Sequence, residues 1–201
     1  MRVLLAGEFS GVGREEFRKR GHDAWSCDLV PALDSSRYHI QDDVLNHLDE
    51  GWDLMIAHPT CRYLSNSGIK HLYIGGRKVN GRDEQRWRDM WAGAEFFVKL
   101  RDCGIPKRCL ENPRPHPYAE EIIGPSTQSV QPWMFGHGET KETHFWLYGL
   151  PKLVPTNIVE GRKPRVHYES PGMKNGLTRE QRRSISFPGI MAAMAEQWGN
   201  L

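Results

Sequence analysis

The stretch Val3-Leu4-Leu5-Ala6-Gly7-Glu8-Phe9-Ser10-Gly11-Val12-Gly13 decides the fold. Four apolar residues run straight into a turn holding Gly7, Gly11 and Gly13, and Arg14 to Arg20 then read as a helix ended by Gly21. A strand, a glycine turn and a helix in that order open a βαβ unit, and the first half of the chain repeats the pattern. Ala24 to Cys27 reads as a second strand, closed by Asp28. Tyr38 to Gln41 reads as a third, leading into Asp43 and a short helix that ends near Gly51. Asp53 to Ala57 is a fourth, apolar throughout and therefore central in its sheet. The expectation is an α/β fold, a doubly wound and mostly parallel sheet, with residues 1–201 forming a single domain.

Residues 62–82 are rich in Gly, Ser, Asn and basic residues without a sustained period, which predicts a long loop. Arg82 to Arg101 carries the strongest helical pattern, with Trp87, Met90, Trp91, Ala94, Phe97 and Val98 on one face as core. Gly104 and Pro106 close it, and a fifth strand runs to Leu110 and delivers Glu111. Beyond lies a Pro-rich text with short strands near Val130 and over Phe145 to Tyr148. An irregular stretch then reaches Gly176, and a helical close from Thr178 to Trp198 bends at Pro188.

Hydrophobic residues make up 38% and charged residues 26%, a globular balance. Apolar runs are strand-length, which predicts no transmembrane helix, and the opening residues lack a secretory h-region, which predicts a cytoplasmic protein without a membrane partner. Cys27, Cys61, Cys103 and Cys109 form no CxxC pair and no zinc spacing, so no metal and no disulfide framework are expected. A cytosolic cysteine is by default a small buried hydrophobe, and only Cys61 has a context that suggests more. The net charge of +2 does not announce a nucleic-acid partner. Arg77 to Arg88 and Arg162 to Arg165 are local basic runs, readable as solvated faces or as phosphate contacts.

Open α/β sheets bind ligands outside the carboxyl ends of their strands. The chemically informative residues fall there: the Gly7 to Gly13 turn after strand one, Asp28 after two, Asp43 after three, Pro59-Thr60-Cys61 after four, and Glu111-Asn112-Pro113 after five. A glycine turn opening a helix suits close backbone approach to a nucleotide-like ligand, and an acid about twenty residues on suits ribose hydroxyls. Asp28 reads equally as a strand-terminating turn residue.

Several of these segments together resemble the DNA cytosine-5 methyltransferases. Asp53 to Gly68, an apolar strand leading to Pro59-Thr60-Cys61 and on to Ser65, is similar to that family's Pro-Pro-Cys motif. Leu110-Glu111-Asn112-Pro113 is similar to its Glu-Asn-Val or Glu-Asn-Pro motif. Leu4 to Gly7 with Ser10-Gly11 resembles its cofactor loop. Gly176 to Arg183 with Phe187-Pro188 resembles its late Leu-Thr-x-Arg-Glu and Phe-Pro segment. Gln131 to His137 is similar to a segment of short phage-encoded members.

The resemblance implies S-adenosyl-L-methionine as cofactor, held by Ala6, Gly7, Glu8, Phe9, Ser10, Gly11, Asp28, Leu29, Asp43, Val44, His58 and Pro59, with Asp28 on the ribose and Asp43 on the adenine amine. It implies DNA as partner and, for a phage product, the host cytoplasm. Cys61 would be the nucleophile that adds to C6 of cytosine, Glu111 the acid at the N3/N4 edge, and Asn112 a brace for the loop. Ser65 and Lys141 would touch the substrate, the base being flipped from its duplex and covered by the 62–82 loop.

Three departures bear on what the resemblance carries over. Thr60 stands for the second Pro. The family's Gln-x-Arg-x-Arg motif is replaced by Glu139-Thr140-Lys141-Glu142-Thr143-His144, which makes Lys141 its substitute. Residues 113–176 are a reduced target-recognition region. About thirty residues between Thr143 and Gly176 supply few base contacts; their Lys152, Arg162, Lys163, Arg165 and Lys174 suit phosphates, which position a duplex without specifying sequence. The expectation is recognition of a site of only a few base pairs, with binding that weakens steeply with salt; the alternative is that a further recognition subunit, or a homo-oligomer, supplies the rest. Two other readings stay open: a Cys/Glu enzyme that modifies a pyrimidine nucleotide or adds another group, and a non-catalytic nucleotide- or nucleic-acid-binding protein on the same fold.

Overall fold

The computed structural model describes residues 1–201, apart from the side chain of His167. The chain runs through β1 (Arg2–Ala6), α1 (Val12–Arg18), β2 (Asp23–Asp28), β3 (His39–Gln41), β4 (Leu54–Ala57), α2 (Glu84–Asp102), β5 (Lys107–Asn112), α3 (Pro117–Ile123), β6 (Gln128–Val130), β7 (Thr143–Tyr148), α4 (Arg179–Ser184) and α5 (Pro188–Trp198), with short 3-10 turns between. The strands form one seven-stranded sheet in the order β3-β2-β1-β4-β5-β7-β6. The first five are parallel, and β7 pairs antiparallel with both β5 and β6.

Side chains alternate faithfully across this sheet, as a strand period of two requires. Leu4, Ala6, Met55, Ala57, Leu110 and Trp146 point to one face, where Trp87, Met90, Ala94, Phe97 and Leu100 of α2 and Ala119 and Ile123 of α3 cover them. Val3, Leu5, Leu54, Ile56, Cys109, Phe145 and Leu147 point to the other, against Phe17 of α1 and Ile190, Met191, Met194 and Trp198 of α5. All four residues of β4 are buried, as its unbroken apolar run predicts. The expected doubly wound α/β architecture is therefore present.

Some details differ from the sequence reading. Trp91 is 47% exposed. The buried arc of α2 is centred on Met90, Ala94 and Phe97, so Trp91 falls at its rim, tilted against Trp87 at 5.7 Å. Helix α1 begins at Val12, inside the glycine turn. The 62–82 loop holds three 3-10 turns, Asn66–Leu72, Ile74–Gly76 and Lys78–Asn80. The C-terminal helix is two helices: α4 ends at Ser184, and Pro188 occupies the first turn of α5, where its missing N–H costs no hydrogen bond. Within 113–176, β6 and β7 complete the sheet. Among the described residues no helix is long and apolar enough to cross a membrane.

Candidate active site at the sheet edge

The strand order reverses between β1 and β4, the switch point at which open sheets leave a crevice. There the chain is drawn tight. Gly7 has φ 69°, and a Cβ on it would stand 2.7 Å from the carbonyl oxygen of His58, so the turn after β1 can lie against the end of β4 only as glycine. The same turn donates from the Gly7 and Glu8 amides to the Cys27 carbonyl at 2.8 and 3.3 Å, which joins it to β2 as well.

Register then carries Glu111 to the same edge. Ala57 pairs with Leu110 across β4 and β5, so the next residues, His58 and Glu111, emerge side by side, and His58 Nδ1 lies 2.9 Å from Glu111 Oε2. Because β7 runs antiparallel, its beginning is at this edge too: Asn112 pairs with His144. The Thr143 hydroxyl, which donates to the Lys141 carbonyl at 3.1 Å, lies where it and the Lys141 charge both favour the Glu111 carboxylate. His58, Glu111, Lys141, Thr143, Phe145, Ser184, Ser186, Phe187, Ile190 and Met191 line a narrow cleft of about 20 Å3. That is room for one water and not for a pyrimidine ring. Lys141 closes part of it by donating from Nζ to the Arg183 carbonyl at 3.1 Å.

Cys61 sits in the turn after β4. The Ser65 amide donates to its carbonyl at 3.0 Å, and Leu64 is fully buried against α2. His116 holds this turn to the loop after β5: its amide donates to the Leu64 carbonyl at 3.0 Å and its Nε2 lies 2.9 Å from the Tyr63 carbonyl. Asn112 Nδ2 donates to the Pro59 carbonyl at 3.1 Å, which braces the same turn from β5. The Cys61 residue is exposed, whereas Cys27 and Cys109 lie inside strands and are buried. Burial pushes the Cys27 thiol up to about 12 and Cys109 well above the ordinary range.

The two reactive groups bias each other. Loss of solvent around Sγ pushes the Cys61 thiol up, and the Glu111 charge pushes it the same way, against Lys141 and Arg183. Burial would raise the Glu111 carboxyl, but the His58 hydrogen bond and the Lys141 charge, helped by Thr143, outweigh it and hold it below the ordinary carboxylate value. At neutral pH the resting pair is thus a thiol and a carboxylate. Protonating Glu111 removes a charge that opposes the thiolate, so the two ionisations are linked.

The other residues singled out in the sequence divide into open and occupied positions. Asp28 accepts from the Val30 amide through Oδ1 at 3.1 Å, and Leu29 beside it is 72% exposed. The Asp43 Oδ1 accepts from the Leu45 amide at 3.0 Å as a helix cap, and Val44 is buried in the core. Ser65 is buried, bridges to Pro115 and bonds the Ser67 hydroxyl, outside the Glu111 cleft. Phe9 is buried, and Ser10 donates to Glu8 Oε1. Glu8 Oε2, His58 Nε2 and Asn112 Oδ1 are buried without a hydrogen-bond partner among the described residues, at the ends of β1, β4 and β5. Buried polar atoms rarely stay unpaired, so this edge has hydrogen-bonding capacity to spare.

Arg14 escaped the sequence reading. Its side chain is fully buried under the glycine turn and donates to Ser26 Oγ at 2.7 Å, to Glu15 at 3.0 Å and to Asp34. Ser26 Oγ in turn lies 2.8 Å from His39 Nδ1, whose Nε2 lies 3.0 Å from the Val30 carbonyl. This chain of contacts ties α1 to the 29–38 connection; nothing in residue type distinguishes Arg14 from the more exposed Arg18 and Arg20 of the same segment.

Beside Cys61 lies a second, open cleft of about 670 Å3, lined by Arg62, Lys70, His71, Tyr73, Gly75, Gly76, Asp83 and Arg86.

No known protein family has a sequence profile that matches the chain. No curated protein matches it in sequence. Among solved structures it is similar to a DNA modification methyltransferase encoded within an E. coli prophage, at 13% identity and TM-score 0.46, over 86% of this chain and 55% of that one. It is also similar to the methyltransferase EhMeth of Entamoeba histolytica, at 10% identity and TM-score 0.48, over 87% of this chain and 61% of that one. The chain therefore spans little more than half the length of either structure.

Proposed function

We propose that the chain is a reduced S-adenosyl-L-methionine-dependent DNA cytosine-5 methyltransferase with Cys61 as nucleophile and Glu111 as its acidic partner. The observation that carries the reading is the convergence on one sheet edge of an exposed cysteine residue and a largely buried carboxylate whose charge acts on its thiol, next to a glycine turn at the switch point. The cofactor fits what lies beside them. Asp28 has a carboxylate oxygen to offer a ribose diol and Leu29 an exposed apolar surface for a purine face; Glu8 Oε2, buried and unpartnered, can take an ammonium or hydroxyl donor. When bound, the cofactor supplies an electrophilic methyl group.

The chain's own residues do the rest. Cytosine C5 is a weak nucleophile, and addition of the Cys61 thiolate to C6 turns the ring into an enamine. Glu111, protonated for the step, gives its proton to N3 and accepts from the N4 amino group, which offsets the charge that develops on the ring. The cleft of about 20 Å3 must open to admit a base, and the Lys141 contact with the Arg183 carbonyl is the contact to release.

DNA as the substrate is supported by charge. Arg62, Lys70, Arg77, Lys78, Arg82, Arg86 and Arg88 lie on and beside the second cleft or its loop. Every ion pair formed among the described residues involves other cations. Free cations beside the nucleophile suit a phosphodiester backbone, whose neutralisation releases counterions.

The test is mass spectrometry of nucleosides from DNA incubated with the protein and methyl-labelled cofactor. Labelled 5-methyldeoxycytidine supports the reading. Label on another base, label only on a free nucleotide, or none while calorimetry records cofactor binding would reject it.

A further inference from the structure

His58 occupies the position between β4 and the Pro59 turn, and its geometry gives it a task beyond lining a ligand site. Its ring is 14% exposed and the Glu111 side chain 17% exposed. Parallel pairing of β4 with β5 fixes the two backbones as neighbours, so the 2.9 Å contact between Nδ1 and Oε2 belongs to the sheet rather than to a mobile loop. With Glu111 a carboxylate, Nδ1 must carry the proton of that hydrogen bond. The other ring nitrogen, Nε2, is buried and has no partner among the described residues. The ring borders the cleft with Lys141, Thr143, Ser184 and Ser186. The ionisable groups that act there are Glu111 from β5, Lys141 from the segment before β7, Arg183 from the end of α4, and Cys61 from the turn after β4.

We propose that His58 and Glu111 work as one proton-sharing unit, in which His58 orients the carboxylate through Nδ1 and exchanges protons through its buried Nε2 with water in the adjoining cleft. The inference rests on the proposed function for the fate of the proton, and it answers a difficulty that function raises. Glu111 rests as a carboxylate yet must give up a proton when the ring is attacked. In the step, Nε2 takes a proton from the cleft water as Nδ1 yields its own to Glu111 Oε2, and the carboxyl group passes one proton to N3. The Cys61 proton leaves to solvent, the Sγ–C6 bond forms, and the C5–C6 π pair moves into the ring. The carboxylate ends this step as it began, while the imidazole ends as its Nε2–H tautomer; when the adduct collapses, N3 returns its proton through Glu111 to Nδ1 and Nε2 releases its own, which restores the resting pair.

Two substitutions separate orientation from proton exchange. In His58→Asn the side-chain amide donates to Glu111 from about the Nδ1 position but cannot relay a proton. In His58→Leu both are lost. The first measurement is a carbon-13 NMR titration of the Glu111 carboxyl, identified by its loss in Glu111→Gln. It needs no turnover. The wild-type midpoint is expected below the ordinary carboxylate range, nearly retained in His58→Asn and raised in His58→Leu. The second is the pH profile of methyl transfer, in which His58→Asn should leave KM within about threefold and lower kcat by about 10²-fold, the low end for proton transfer by a positioned side chain. Full recovery of kcat in His58→Asn would reduce His58 to a structural support and overturn the proposal. So would a Glu111 titration unmoved in His58→Leu. Should the protein make no 5-methyldeoxycytidine, the functional reading fails by its own assay, and the carboxyl titration alone decides whether the pair is coupled.

Discussion

The two longest irregular parts of the chain, the loop from Arg62 to Asp83 and the segment from Gly149 to Thr178, look alike on paper, both basic and both without period. Folded, they differ. In the second, Arg165 is paired with Glu139 at 2.6 Å, and Arg162 stacks on Trp133 at 3.9 Å while donating to the Val159 and Gly161 carbonyls. Lys152, Arg162, Lys163 and Lys174 remain as exposed cations without an ion pair among the described residues, Arg162 being held by the ring and the carbonyls. In the first, Arg62, Lys70, Arg77, Lys78 and Arg82 have no carboxylate partner among the described residues, and Arg62 and Lys70 line the cleft beside Cys61. The lesson is that a basic run in sequence is a count of charges, whereas binding of a polyanion depends on charges not already spent within the protein. On the proposed function, the loop after the nucleophile is therefore a second candidate for phosphate contacts, beside the cations of 143–176.

The comparison can be broken by substitution. Replacing Arg62, Lys70 and Arg77 together by Ala should weaken duplex binding at least tenfold at moderate salt. It should also reduce the slope of log affinity against log salt by about 2 to 3, since each lost phosphate contact removes about 0.9. Replacing Lys152, Lys163 and Lys174 should change both by less. Fluorescence anisotropy across a salt series measures both sets, and equal losses would erase the distinction between the two regions.

A smaller effect tests the link between the loop and β5. Iodoacetamide should alkylate Cys61 before Cys27 and Cys109 in the native protein, because Cys61 is exposed and they are buried. Its rate should rise only above the ordinary thiol range, since the thiol is pushed up. Glu111→Gln removes a negative charge that opposes the thiolate, so the half-rise should move to lower pH. An upward move would mean that the carboxylate does not act on Cys61.

The smallest effect belongs to Arg165→Ala. The pair with Glu139 is mostly solvated on the arginine side, 68% exposed, so chemical denaturation should register a loss of about 0 to 1 kcal/mol, with no change in the salt slope.

Much of the sheet was legible in the sequence because its signals are local. Strand period, glycine turns and strand-end acids give β1, β2, β4 and β5 and their common edge without any knowledge of contacts. What was missed is held by distant partners. The 3-10 turns after Cys61 have no period to announce them; the Trp87 indole donating to the Leu72 carbonyl at 2.9 Å and the Asp83 amide donating to the same carbonyl at 3.0 Å pin them to α2. Helix α3 hides in Pro-rich text, started by Pro117 in its first turn and capped by His116 Nδ1, which accepts from the Ala119 amide at 3.1 Å. The site was legible as strand-end residues but not as a charge arrangement. That Lys141 acts on Glu111 depends on β7 running backwards, and that His58 shares a hydrogen bond with Glu111 depends on register. Neither can be read from spacing.

The central claim, that Cys61 bonds to cytosine C6 with Glu111 beside it, is tested most directly by a DNA duplex bearing 5-fluorocytosine. Its C5 fluorine cannot leave as a proton, so an adduct that has accepted a methyl group is trapped. In the presence of S-adenosyl-L-methionine, intact-mass spectrometry should find the protein joined to the DNA. Peptide mapping should place the bond at Cys61, and the Cys61→Ser protein should yield none. A protein that makes 5-methyldeoxycytidine from normal DNA without this adduct, or forms the adduct equally well as Cys61→Ser, would contradict the account.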